Sequence, residues 1–171
     1  MVNRKLSYGI IFSAFIAAIV FFSMYVFKFI SMNDQVKILM AELYKSNNVN
    51  SNAVPLIIII IAIIVMLLLF IISYVINNII LKVIKVTVES LKLAIGILVA
   101  YNFVFIISNI LISYTDIRIA WITIIANLVE LATLIILFSE ELGKSKYKFT
   151  LIKICILVLN LVVSNFSSMK I

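Results

Sequence analysis

The sequence predicts an all-α fold, a polytopic transmembrane helix bundle of five spans with its N-terminus in the cytoplasm and its C-terminus outside. Three observations predict it: the apolar composition, the length of the apolar blocks, and the placement of basic residues between them. Of 171 residues, 65% are hydrophobic and 12% charged, where a soluble domain carries roughly 45–50% and about 25%. Such a chain has too little polar surface to face water, so lipid is its solvent. A hydrocarbon core of about 30 Å needs roughly 20 apolar helical residues, because backbone groups find no water there. Five blocks meet or approach that length and form one transmembrane domain over 1–171.

The first block runs from about Tyr8 to Ile30 after Arg4 and Lys5. That basic start resembles a signal peptide, but the apolar stretch exceeds the usual 7–15 residues and no small-residue cleavage site follows, so a retained span is expected. The second runs from Pro55, suited to a helix start because its missing N–H needs no partner there, to about Leu81. The third spans about Leu91 to Ile112 and the fourth about Ile119 to Phe138, joined so tightly through 113–118 that they form a hairpin. The fifth, about Phe149 to Phe166, is short and carries Lys153 near its start.

Basic residues near span ends are retained in the cytoplasm. Arg4, Lys5, Lys82, Lys85, Lys92, Lys144, Lys146, Lys148 and Lys153 fall in one set of segments, and Lys28, Lys37, Lys45, Arg118 and Lys170 in the alternate set. The larger set puts the N-terminus and the loops around Lys85 and Lys146 inside. In the extracytoplasmic connector 31–54, Val36, Leu39, Met40 and Leu43 share a face opposite Lys37, Glu42 and Lys45, which suits a short interfacial helix. An Asn/Ser-rich linker follows.

The net charge of +7 belongs to these flanking lysines, so nucleic acid is not an expected partner; the bilayer is. One cysteine, Cys155, and no histidine exclude a disulfide within the chain and the usual zinc or haem ligation. No metal and no cofactor are expected. Asp34 and Asp116 both lie in loops, and Gly9, Gly96 and Gly143 are isolated, so neither an intramembrane protease nor a phosphate loop can be assembled. An enzyme is not expected.

Glu130 stands out, since a carboxylate at the centre of a span costs about 2.5–3.5 kcal/mol on insertion scales and faces protein or a wet cavity. Thr123, Asn127, Glu130 and Thr133 recur every three or four residues and form one polar stripe on the fourth span. Asn102 and Asn160 fall at the same depth and are the expected partners of Glu130, while Lys153, entering less deeply, could reach it with its long side chain. Desolvation disfavours a charged Glu130 unless Lys153 comes close enough to hold it ionised. Neutral helix glue through Asn102 or Asn160 is the expectation; a proton- or ligand-linked role and a contact with another subunit are the alternatives. Gly9, Ser13 and Ala17, with Ala14 and Ala18 beside them, form a small-residue ridge for helix packing, within the monomer or against a partner helix. Ser73, Tyr74, Asn77 and Asn78 are expected at the cytoplasmic interface.

The layout from Tyr8 to Asn165 resembles the bacterial relatives of the Yip1 family of five-span membrane proteins. The matching pieces are Val54-Pro55-Leu56-Ile57, the basic entry from Lys85 to Lys92 leading to Ala100-Tyr101-Asn102, and Gly143-Lys144-Ser145-Lys146 before the last span. The Asp-Leu-Tyr-Gly-Pro motif of eukaryotic members is absent, so coupling to small GTPases does not carry over. The resemblance implies a non-catalytic membrane protein working through other integral membrane proteins or self-association. A small transport component with Glu130 in a polar pathway is the alternative. The Lys-, Asn- and Ile-rich composition points to a bacterial plasma membrane.

Overall fold

A computed structural model describes residues 4–32, 38, 41–42, 53–114 and 119–168, and these are almost entirely helical. The elements are α1 (Arg4–Met32), α2 (Ala53–Val83), α3 (Ser90–Tyr114), α4 (Ile119–Leu137), a single turn α5 (Ser139–Leu142) with a 3-10 turn (Gly143–Ser145), and α6 (Lys146–Ser168). The interfacial helix expected within 31–54 falls almost wholly outside the described residues, as do Asp116, Arg118 and Lys170.

Among the described residues, three helices are long and apolar enough to cross a membrane: Tyr8–Met32, Leu56–Val83 and Ser90–Tyr114. A fourth crossing follows if the bent pair Trp121–Leu137 and Ser139–Val162 counts as one span; their axes differ in direction by 79°. The loop around Lys146 expected between the fourth and fifth blocks is therefore a corner. Its physical cause lies in 138–145, where Phe138 accepts the amide of Leu142 at 2.8 Å and Gly143 leaves the helix at φ 44° and ψ −122°. A side chain rarely adopts that conformation.

α3 is the centre of the bundle. Ile97, Leu98 and Ala100 are fully buried on it, with Ala18 of α1, Met66 of α2, and Leu134, Phe138 and Phe149 from the α4–α6 side around them. Gly96 permits the closest approach, because a Cβ there would lie 2.5 Å from Cζ of Phe138. The corner is thereby seated on α3.

α1 and α3 run parallel in a fixed register. Asn102 Nδ2 donates to the carbonyl of Ala14 at 3.0 Å, and Asn109 Nδ2, seven residues on, donates to that of Phe21 at 2.8 Å, again seven residues on. A heptad step brings the same face round. The ring of Phe22 packs 5.1 Å from that of Phe105 in the same seam. At its far end Lys28 donates to the carbonyl of Asn109 and to Ser113 Oγ.

α2 ends in a Schellman motif: the amide of Val86 donates to Leu81 at 2.9 Å and that of Lys85 to Lys82 at 3.0 Å. The left-handed position, φ 59°, is occupied by Lys85 where glycine is usual. Apolar helix propagation stops there, and the chain turns through 86–89 into α3.

Candidate functional site

The polar side chains of α4 separate into two groups. On α4, Asn127 Nδ2 donates to the carbonyl of Thr123 at 2.8 Å, and Thr133 Oγ1 to that of Val129 at 2.8 Å. Both bonds run back along the same helix, as Thr and Asn do when they satisfy themselves locally. Glu130 does otherwise. Its Oε1 accepts a hydrogen bond from Lys153 Nζ at 2.9 Å, an ion pair joining α4 to α6, with the two side chains 17% and 14% exposed.

This corrects the expected partners. Asn102 sits one residue from Tyr101, about 100° round the helix, and its amide nitrogen is engaged by Ala14 and by Leu98 of its own helix. Depth along the helix matched Glu130, but direction did not. From α3 it is Tyr101 that faces Glu130. Asn160 does lie there: Ser73, Tyr101, Asn127, Glu130, Lys153 and Asn160 line one cleft of about 160 Å³. The cleft has an apolar wall of Leu69, Ile72, Ile76 and Ile156. Tyr101 Oη donates to the carbonyl of Leu69 at 2.9 Å, fixing its ring at the edge of the cleft.

Behind it, Asn77 Nδ2 donates to the carbonyl and hydroxyl of Ser73 at 2.8 and 3.1 Å. Asn77 is fully buried, not interfacial as its position near the end of the second block suggested. The polar groups of α2 thus continue inward to the Glu130–Lys153 cleft. Chemically the site offers one cation, one anion and neutral hydroxyl and amide groups at an apolar wall. It can hold polar atoms against an apolar wall. Among the described residues no three of His, Cys, Asp and Glu gather in one place.

The small-residue ridge lies elsewhere. Gly9 and Ser13 are exposed, nothing lies within 4 Å of where a Gly9 Cβ would be, and Ser13 Oγ donates to Ile10 of its own turn. Ala17 is half-buried. The line of α1 that packs onto α3 is the adjacent one, through Ala14, Ala18 and Phe21.

Asn109 was not singled out by sequence reasoning, although its spacing of seven from Asn102 was the available signal. No protein-family model matches the chain, and no significant match to a curated protein or to a solved structure is found.

Proposed function

We propose that the protein is a non-catalytic integral membrane scaffold or accessory subunit that works through other integral membrane proteins or through self-association. One observation carries the reading: several polar side chains of the bundle join helix to helix. Asn102 and Asn109 tie α3 to α1, and Lys153 ties α6 to Glu130 of α4. Groups engaged in this way organise a membrane fold, and no nucleophile–base pair stands among them. The resemblance to the bacterial side of the Yip1 family and a bacterial plasma-membrane location belong to the same proposal.

Its topology is five spans with the N-terminus inside, on the strength of the lysine bias. A reporter fused after Ile171 is expected to be extracytoplasmic; cytoplasmic activity there sinks the five-span topology and leaves α6 as a segment that does not cross. Capture from native membranes in mild detergent is expected to bring down an integral membrane partner or a second copy of the chain. A lone monomer under the same conditions speaks against the scaffold.

The cleft at Glu130, Lys153, Asn127 and Asn160 favours a second reading, a small transport component with Glu130 in a polar pathway. Liposomes containing the purified chain decide between the two. Proton or solute flux abolished by Glu130→Gln in a well-folded protein promotes transport over the scaffold.

A further inference from the structure

A second cavity lies away from Glu130, at the end of the span Leu56–Val83. It has a volume of about 380 Å³ and is lined by Val83, Ile84, Lys85, Tyr147, Lys148, Leu151 and Ile152. Two lysines, from different elements, converge on it, with a tyrosine beside them and aliphatic side chains below. No carboxylate is among the described residues that line it. Two like charges at one cleft repel each other unless an anion lies between them.

The apolar part opens outward from the bundle, since Val83 and Leu151 are 67% and 60% exposed on α2 and α6. Lys85 is held at the rim by the Schellman turn, in a left-handed conformation that glycine would adopt without strain,. Lys148 Nζ stands 5.8 Å from the ring centroid of Tyr147, which restrains the second lysine at the same rim.

We infer that this cleft binds an anionic phospholipid, with the phosphate between Lys85 and Lys148 and the start of an acyl chain along Val83, Ile84, Leu151 and Ile152. Basic pockets between helices at the headgroup level take such lipids. The aliphatic floor selects a lipid over a free anion, because a bare phosphate would leave that floor uncovered. The lipid bridges the end of α2 to the start of α6 and so braces the corner from the headgroup side.

The test counts lipids retained on the full chain by native mass spectrometry after extraction from phosphatidylcholine vesicles containing a minor share of phosphatidylglycerol. Selective retention of phosphatidylglycerol is expected, and in Lys85→Ala/Lys148→Ala it weakens by about thirtyfold, two lysine–headgroup interactions. Lys144→Ala/Lys146→Ala removes the same charge from residues that do not line the cleft, and retention should persist. Equal loss in both variants overturns the proposal, because bulk surface charge then explains binding. So does displacement of the lipid by millimolar inorganic phosphate with no preference for the acylated ligand. Size-exclusion chromatography establishes that each variant is folded; all four lysines are solvent-exposed.

Discussion

The seam between α1 and α3 and the corner between α4 and α6 solve one problem by opposite means. In the seam, neutral carboxamides reach across to backbone carbonyls at 2.8–3.0 Å, and a charge, that of Lys28, enters only at its far end. At the corner, two full charges meet at 2.9 Å beside an accessible cleft. A neutral amide bond in a membrane contributes modestly and is indifferent to pH and salt. An ion pair is self-neutralising only while both partners are present, so the corner is where the molecule is most vulnerable to a single change.

That contrast is broken most sharply at Lys153. Lys153→Met leaves Glu130 unpaired among apolar residues and should destabilise the bundle by on the order of 2–3 kcal/mol, read as unfolding by SDS titration in mixed micelles. Adding Glu130→Leu should restore stability to within about 1 kcal/mol. A double variant as weak as the single one would show that the pair is not the source of the loss. Glu130→Gln, expected to be nearly silent if Glu130 were neutral glue, should instead behave as a broken pair.

Next in size is the seat of the corner on α3. Gly96→Ala drives a Cβ against the buried ring of Phe138 and should cost about 1–3 kcal/mol through overpacking. Phe138→Leu in the same chain should recover part of it; no recovery would place the damage elsewhere.

The seam responds less. Asn109→Leu or Asn102→Leu removes one interhelical bond each, at about 0.6 kcal/mol on average, and thermal unfolding at several pH values should show the same decrement throughout. A decrement that grows with pH would mean that the seam is coupled to a charge.

The smallest effect lies at Lys92 and Glu141, a surface ion pair between the start of α3 and α5. The Lys92 ammonium holds the Glu141 carboxyl below its ordinary value. With its folded value depressed, Glu141 contributes stability that is fully present above the usual carboxylate range and is lost as pH falls through that depressed value. Lys92→Met should flatten this acid limb of the melting profile, and added salt should weaken it in the wild type. An unchanged acid limb in Lys92→Met assigns it to other carboxylates.

What could be read from the sequence was the helical character, with helices long and apolar enough to span a membrane, and a partly buried Glu130, because insertion energetics act on every residue separately. Lys153 was named because its stem can reach inward, and it is the partner. Rotation about the helix axis was not legible: Asn102 and Tyr101 share a depth and face different neighbours. The fully buried Asn77 was misplaced for a related reason, since position near a block end says nothing about which face meets α3. The corner at 138–145 was read as an ordinary loop because its direction depends on Gly143 and on the fit of Phe138 over Gly96, two contacts that periodicity does not encode. Gly9, Ser13 and Ala17 formed a recognisable ridge, yet the neighbouring line through Ala14 and Ala18 is the one α3 meets.

The register between α1 and α3 also sets a clock. Asn102 and Asn109 each meet a carbonyl 88 residues earlier in the chain. At synthesis rates of about 5–20 residues per second, α1 exists for roughly 4–18 s before its partner has been made. During that interval the α1 face that will receive α3, including Ala18 and Phe22, must be covered by lipid, by the newly made α2 or by the insertion machinery. Assembly of the bundle is therefore timed by translation of α3. A chain arrested on the ribosome before Ser90 should leave α1 open to photocrosslinking from that face, and one arrested well beyond Tyr114 should leave it protected.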